Sequence, residues 1–111
     1  MQEPGLDEHL WISEWEGLEP LLHDAPTEAL AEVDDLVSRM MAARGLALEE
    51  REGEELTEPE ITREFAEARR ITRQAGSGEP YDPGDVAAAV EAYRNLYAFL
   101  IELGPLADGE G

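Results

Sequence analysis

Cysteine and lysine are both absent from this chain of 111 residues. The first absence excludes disulfides, thiolate-held metal and a cysteine nucleophile together. The second excludes Schiff-base chemistry and the lysine of a phosphate-binding P-loop. Long apolar runs are missing as well. The longest, LYAFLI at residues 96–101, falls far short of the ~20 residues that a membrane helix requires. The N-terminal stretch MQEPGLDEHLW carries no basic cluster followed by an apolar segment, so it does not read as a signal peptide. A cytoplasmic protein is the resulting expectation.

Serine and histidine are nearly absent too. Ser13, Ser38 and Ser77 are the serines, and His9 and His23 the histidines. No Ser-His-Asp order stands out, and neither histidine belongs to the Glu-x-x-His pair that a di-iron bundle needs. Positive charge is scarce: 8 basic residues, all arginine, face 27 acids for a net charge of −19. Such a field repels nucleic acid and anionic membranes, and it favours cations or basic proteins. Solubility, or adaptation to salt or heat, accounts for the same charge with no partner involved.

What is present is a helical pattern in a single domain spanning residues 1–111, with 42% hydrophobic residues to build one core. One helix is expected from Asp24-Ala25-Pro26-Thr27 to Gly45, capped by Asp24 or Thr27. Its buried stripe would be Leu30, Val33, Val37, Met40, Met41 and Arg44. A second starts at Thr57-Glu58-Pro59-Glu60 with capping-box spacing, buries Ile61, Phe65, Ala68, Ile71 and Ala75, and ends at Gly76. Arg69, Arg70 and Arg73 gather near its end, the one local concentration of positive charge.

A third helix starts within GEPYDPGDVAAAV, with Asp82 as N-cap, Pro83 in the first turn and Asp85 three residues past the cap, and runs to about Leu103, where Gly104-Pro105 ends it. The same two aspartates could be metal ligands, but a calcium loop needs about five oxygen-bearing positions in twelve residues, which this stretch lacks. The helix start accounts for every residue there. The face Val86, Ala89, Val90, Tyr93, Leu96, Tyr97, Leu100 and Leu103 is wide enough for a central helix or for a dimer contact. Ahead of these three, Trp11, Trp15, Leu18 and Leu22 recur at helical steps, with Gly17 and Pro20 interrupting; a short, kinked segment is expected. The fold class is therefore all-α: a small bundle of three main helices plus that segment. An acidic, solvated loop over residues 45–56 and disordered tails over 1–5 and 105–111 complete the reading.

Carboxylates are the remaining chemical resource. Glu16 and Glu19, then Glu32 and Asp35, form two pairs at i, i+3, each on one helix face. Four such carboxylates could converge on magnesium. The arrangement resembles that of the all-α nucleoside-triphosphate pyrophosphohydrolases over residues 16–41, and the resemblance implies a magnesium-dependent enzyme. Gly17 and Pro20 depart from it, as does the missing lysine. Otherwise no cofactor, metal or compact catalytic set is indicated, and the chain does not read as an enzyme. A different use of charge is mimicry of DNA: Asp24, Glu28, Glu32 and Asp35 step along one row with a rise of ~6 Å, spacing that could occupy a DNA-binding cleft.

Trp11 and Trp15, one turn apart, are either core anchors or an exposed hot spot; Tyr93 and Tyr97 pose the same choice. The leading functional expectation is an acidic helical protein that acts by protein–protein contact, through a partner or by self-association as a homodimer.

Overall fold

Proline marks the start of every helix. The computed structural model describes residues 4–53 and 55–103, which form α1 (Pro4–Asp24), α2 (Pro26–Ala43), α3 (Pro59–Gly76) and α4 (Pro83–Leu103), with no strand among the described residues. Each helix opens on a proline, where the missing N–H removes no hydrogen bond and the fixed φ already suits the helix. The chain is an all-α bundle of four helices.

The N-terminal segment is longer than its sequence suggests. Instead of a short, kinked piece, α1 is a continuous helix of 21 residues with Pro20 inside it. Pro20 lacks one hydrogen bond and crowds the preceding turn, a local penalty of ~3 kcal/mol. Trp11, Trp15, Leu18 and Leu22 are all buried on one side of this helix. At roughly 2 kcal/mol or more for each large side chain, that burial outweighs the proline. Of the expected N-terminal tail, Pro4 and Gly5 belong to α1; residues 1–3 and the tail over 105–111 lie outside the described residues.

A single residue, Ala25, separates α1 from α2. Its N–H donates to the Leu21 carbonyl at 2.7 Å, and its own carbonyl accepts from the N–H groups of Glu28 and Ala29 at 3.1 Å. Ala25 is thus the N-cap of α2, with no side-chain cap. Neither expected cap forms, because the N-cap position falls on Ala25: Asp24 closes α1 and Thr27 already lies in the first turn of α2. Asp24 Oδ1 lies 3.0 Å from His23 Nδ1, and Thr27 Oγ1 lies 3.3 Å from the Tyr81 hydroxyl. The box expected at Thr57 and Glu60 is absent too: Glu58 is the N-cap of α3, again without a side-chain bond. The third start forms as read, with Gly84 N–H donating to Asp82 Oδ1 at 2.8 Å.

Gly45 ends the α2 segment in the left-handed region, at φ 78°. Its N–H donates to the Ala42 carbonyl at 3.1 Å, and the Leu46 N–H reaches back to the Met41 carbonyl at 2.9 Å. This is the paired closure that satisfies a helix's last carbonyls. Leu46, just beyond it, is buried. The loop that follows is therefore anchored rather than fully solvated. Leu48 packs on the core, Thr62 donates to the Ala47 carbonyl at 2.8 Å, and Arg63 holds Glu50 at 2.9 Å.

The central helix is α2, packed against each of the other three, while α4 packs on α2 and α3. Most of the wide face of α4 is covered within the chain: Val86, Ala89, Val90, Tyr93, Leu96 and Leu100 are buried, while Tyr97 and Leu103 are half-buried. All six stripe positions expected on α2, including Arg44, are buried as well. Arg44 serves as a polar rivet through that core. Its Nε donates to the Leu100 carbonyl at 3.1 Å, its Nη2 lies 3.5 Å from Glu8, and its guanidinium sits 4.8 Å from the Trp11 ring centre. Leu100 is among the last four residues of α4, whose carbonyls have no partner inside the helix, so a cation there is doubly favourable. No helix among the described residues is long and apolar enough to cross a membrane.

Candidate functional site

The four carboxylates do not converge. No group of three or more His, Asp or Glu side chains among the described residues stands close enough to hold a metal ion. Glu19 instead faces Arg94 of α4, at 3.5 Å, and Asp35 pairs with Arg39 one turn along α2, at 2.9 Å. Glu16 and Glu32 are exposed. The α1 carboxylate that does approach Asp35 is Glu14, drawn in by the other side of the Arg39 guanidinium. Spacing within each helix matched a magnesium site, but Glu19 and Asp35 are drawn to different arginines, Arg94 and Arg39. The acidic row is also divided, since Asp24 ends α1 and only Glu28, Glu32 and Asp35 share α2.

Three of the four aromatic candidates are core residues, and the fourth, Tyr97, packs half-buried against them. Trp11 and Trp15 are buried, and Trp15 stacks on Tyr97 with ring centres 4.2 Å apart and planes 6° from parallel. That contact ties α1 to α4. Burial, with Glu16 nearby, raises the Tyr97 hydroxyl above its ordinary pKa. Tyr93 is fully buried, edge-on to Phe65 at 6.4 Å.

Around Tyr93 lies a polar network that the sequence reading missed. Asp34, buried, accepts a hydrogen bond from the Tyr93 hydroxyl at 2.7 Å. The same carboxylate takes Arg69 Nη2 at 2.8 Å and Nε at 3.2 Å, while Thr72 Oγ1 lies 2.7 Å from the Tyr93 oxygen. Three helices meet here, each with its polar group satisfied, which is what makes such burial tolerable. Burial, reinforced by the Asp34 charge, holds the Tyr93 hydroxyl well above the ordinary tyrosine pKa. A signal was available: Asp34 falls four residues after Leu30 and three before Val37, on the buried stripe. A lone acid there calls for a buried cation or donor.

One open feature is a groove of about 480 Å³ between the α1–α2 corner and the first half of α4. Its walls are apolar, from Leu22, Pro26, Val86 and Val90, with Ala87 and Tyr81 toward the mouth. Tyr81 is exposed, held on one side by Thr27. Polar groups stand on the rim: His23, Glu91 and Arg94, whose Nε is buried without a partner. Across His23 lies a shallower hollow bearing Glu16, Glu19 and Asp24. An apolar slot therefore adjoins a carboxylate shelf.

No family model matches this sequence, and no match was found among curated proteins or solved structures.

Proposed function

We propose that this chain works through contact with another protein, as a small acidic helical module. The groove between the α1–α2 corner and α4 takes an apolar side chain of a basic segment, and the shelf of Glu16, Glu19 and Asp24 takes its cations. The observation that carries the reading is the juxtaposition of apolar slot and carboxylate shelf, sharing His23 as a common wall. Charge selects the occupant. A second copy would bring another −19 against the first, a repulsion that a basic partner converts into attraction and faster encounter.

Isothermal titration of the full chain with a synthetic amphipathic Leu/Lys helical peptide, beside its Leu/Glu counterpart, tests the reading. Binding of the basic peptide alone, tightening as salt falls and lost in Ala87→Trp, is expected; Ala87 is exposed on the groove wall. Equal binding of both peptides, or an Ala87→Trp variant that binds as well as the parent, counts against it. Concentration-dependent light scattering without peptide would favour self-association instead.

A further inference from the structure

Each cation of this chain has many carboxylates to choose from, and seven of the eight arginines stand in an ion pair. Arg73 has no such pair among the described residues, and it does not stand alone. It follows Arg69 by one turn of α3, and both line a hollow of about 450 Å³ whose opposite wall is Ala47, Leu48, Glu49 and Arg51. Three of the eight guanidinium groups thus face one concave surface. A second hollow, of about 390 Å³, lies against the same Arg69 and Arg73 and adds the hydroxyl-bearing Thr72 and Ser77 together with the Asp34 carboxylate that Arg69 holds.

Arg69 is held in place. Asp34 grips it through two nitrogens, and its guanidinium lies 4.7 Å from the Phe65 ring centre. Its side chain remains 26% exposed. Arg51 is the loose member, 3.7 Å from Glu49 with both side chains largely exposed.

We infer that the hollow between Arg51, Arg69 and Arg73 is a binding site for a compact phosphate-type dianion. Guanidinium groups present paired N–H donors at the spacing of phosphate oxygens and stay charged at any working pH. Asp34 is already engaged by Arg69 and Tyr93, leaving Glu49 as the wall carboxylate that an anion would displace from Arg51. The far carboxylates oppose an incoming anion, but at physiological ionic strength they are screened beyond ~8 Å. The arginines at the site then decide. This site is independent of the groove, on other helices.

Inorganic phosphate is the probe, titrated into the full chain and followed through arginine Nε–Hε and backbone amide resonances, with chloride at equal ionic strength as control. Saturating shifts confined to Arg51, Arg69, Arg73 and the Leu48 segment are expected. Arg73→Gln, at an exposed position, should weaken binding about tenfold, as loss of one charge-assisted contact does. Glu49→Gln should tighten it. Shifts no different from chloride, or an Arg73→Gln variant that binds phosphate as tightly as the parent, overturn the inference.

Discussion

At the scale of single residues, Trp11, Trp15 and Tyr93 are buried in the core whereas Tyr81 stands exposed at the groove, and this separates stability from binding. Trp15→Ala removes the stacked partner of Tyr97 together with a buried ring. It should cost about 3–5 kcal/mol of unfolding free energy, the range for large aromatic truncations, by denaturant titration. A small change would place Trp15 outside the core. Tyr93 carries a pH signature. Its ordinary value is 10.0 and its folded value is raised, so the folded state keeps a proton that the unfolded chain releases. Its contribution is complete below pH 10 and is lost as pH rises beyond. The slope is about 1.4 kcal/mol per pH unit for one proton. Tyr93→Phe should lose about 1–2 kcal/mol at neutral pH, with its hydrogen bond to Asp34, and should decline less steeply in alkali. An identical alkaline slope in parent and variant would refute the assignment.

At the scale of elements, helix starts were readable where proline and a short polar side chain agree. Asp82 with Pro83 is the clear case, since the aspartate oxygen accepts from the Gly84 N–H. Asp24 and Thr27 were equally plausible caps by sequence, yet the N-cap falls on Ala25 and their side chains meet His23 and Tyr81. Those partners are set by the tertiary fold, and Tyr81 lies far along the chain. The continuity of α1 was hidden for a related reason: the proline penalty is local and visible, whereas the burial that offsets it depends on α2 and α4. Pro20 is exposed within α1, so Pro20→Ala restores a backbone donor without disturbing packing. It should raise stability by about 1–2 kcal/mol, part of the helix gain being offset by a freer unfolded chain. A lower melting temperature in this variant would mean that α1 uses the proline.

At the scale of the whole molecule, the carboxylate spacing shows how far one-dimensional pattern reaches. Glu16 with Glu19 and Glu32 with Asp35 each share a helix face, as spacing requires, but no spacing specifies how two helices are rotated about their axes. Packing of Trp11, Trp15, Leu18 and Leu22 sets that rotation for α1, and it sends Glu19 toward Arg94. The groove was illegible for the same reason, because its walls come from two stretches far apart in the chain, residues 22–27 and 81–94.

Placing the arginines adds local features to the general acidity: seven of the eight are tied to carboxylates, a carboxylate shelf stands at one end of α1, and an arginine-lined hollow lies along α3. The most direct test of the proposed binding face is amide shift mapping of the full chain with the basic Leu/Lys peptide. Tyr81, Ala87, Val90 and Arg94 should move first and saturate together, with Glu16 and Glu19 following at low salt. Shifts spread evenly over Glu28, Glu32 and the 45–56 loop, leaving the groove unmoved, would contradict it.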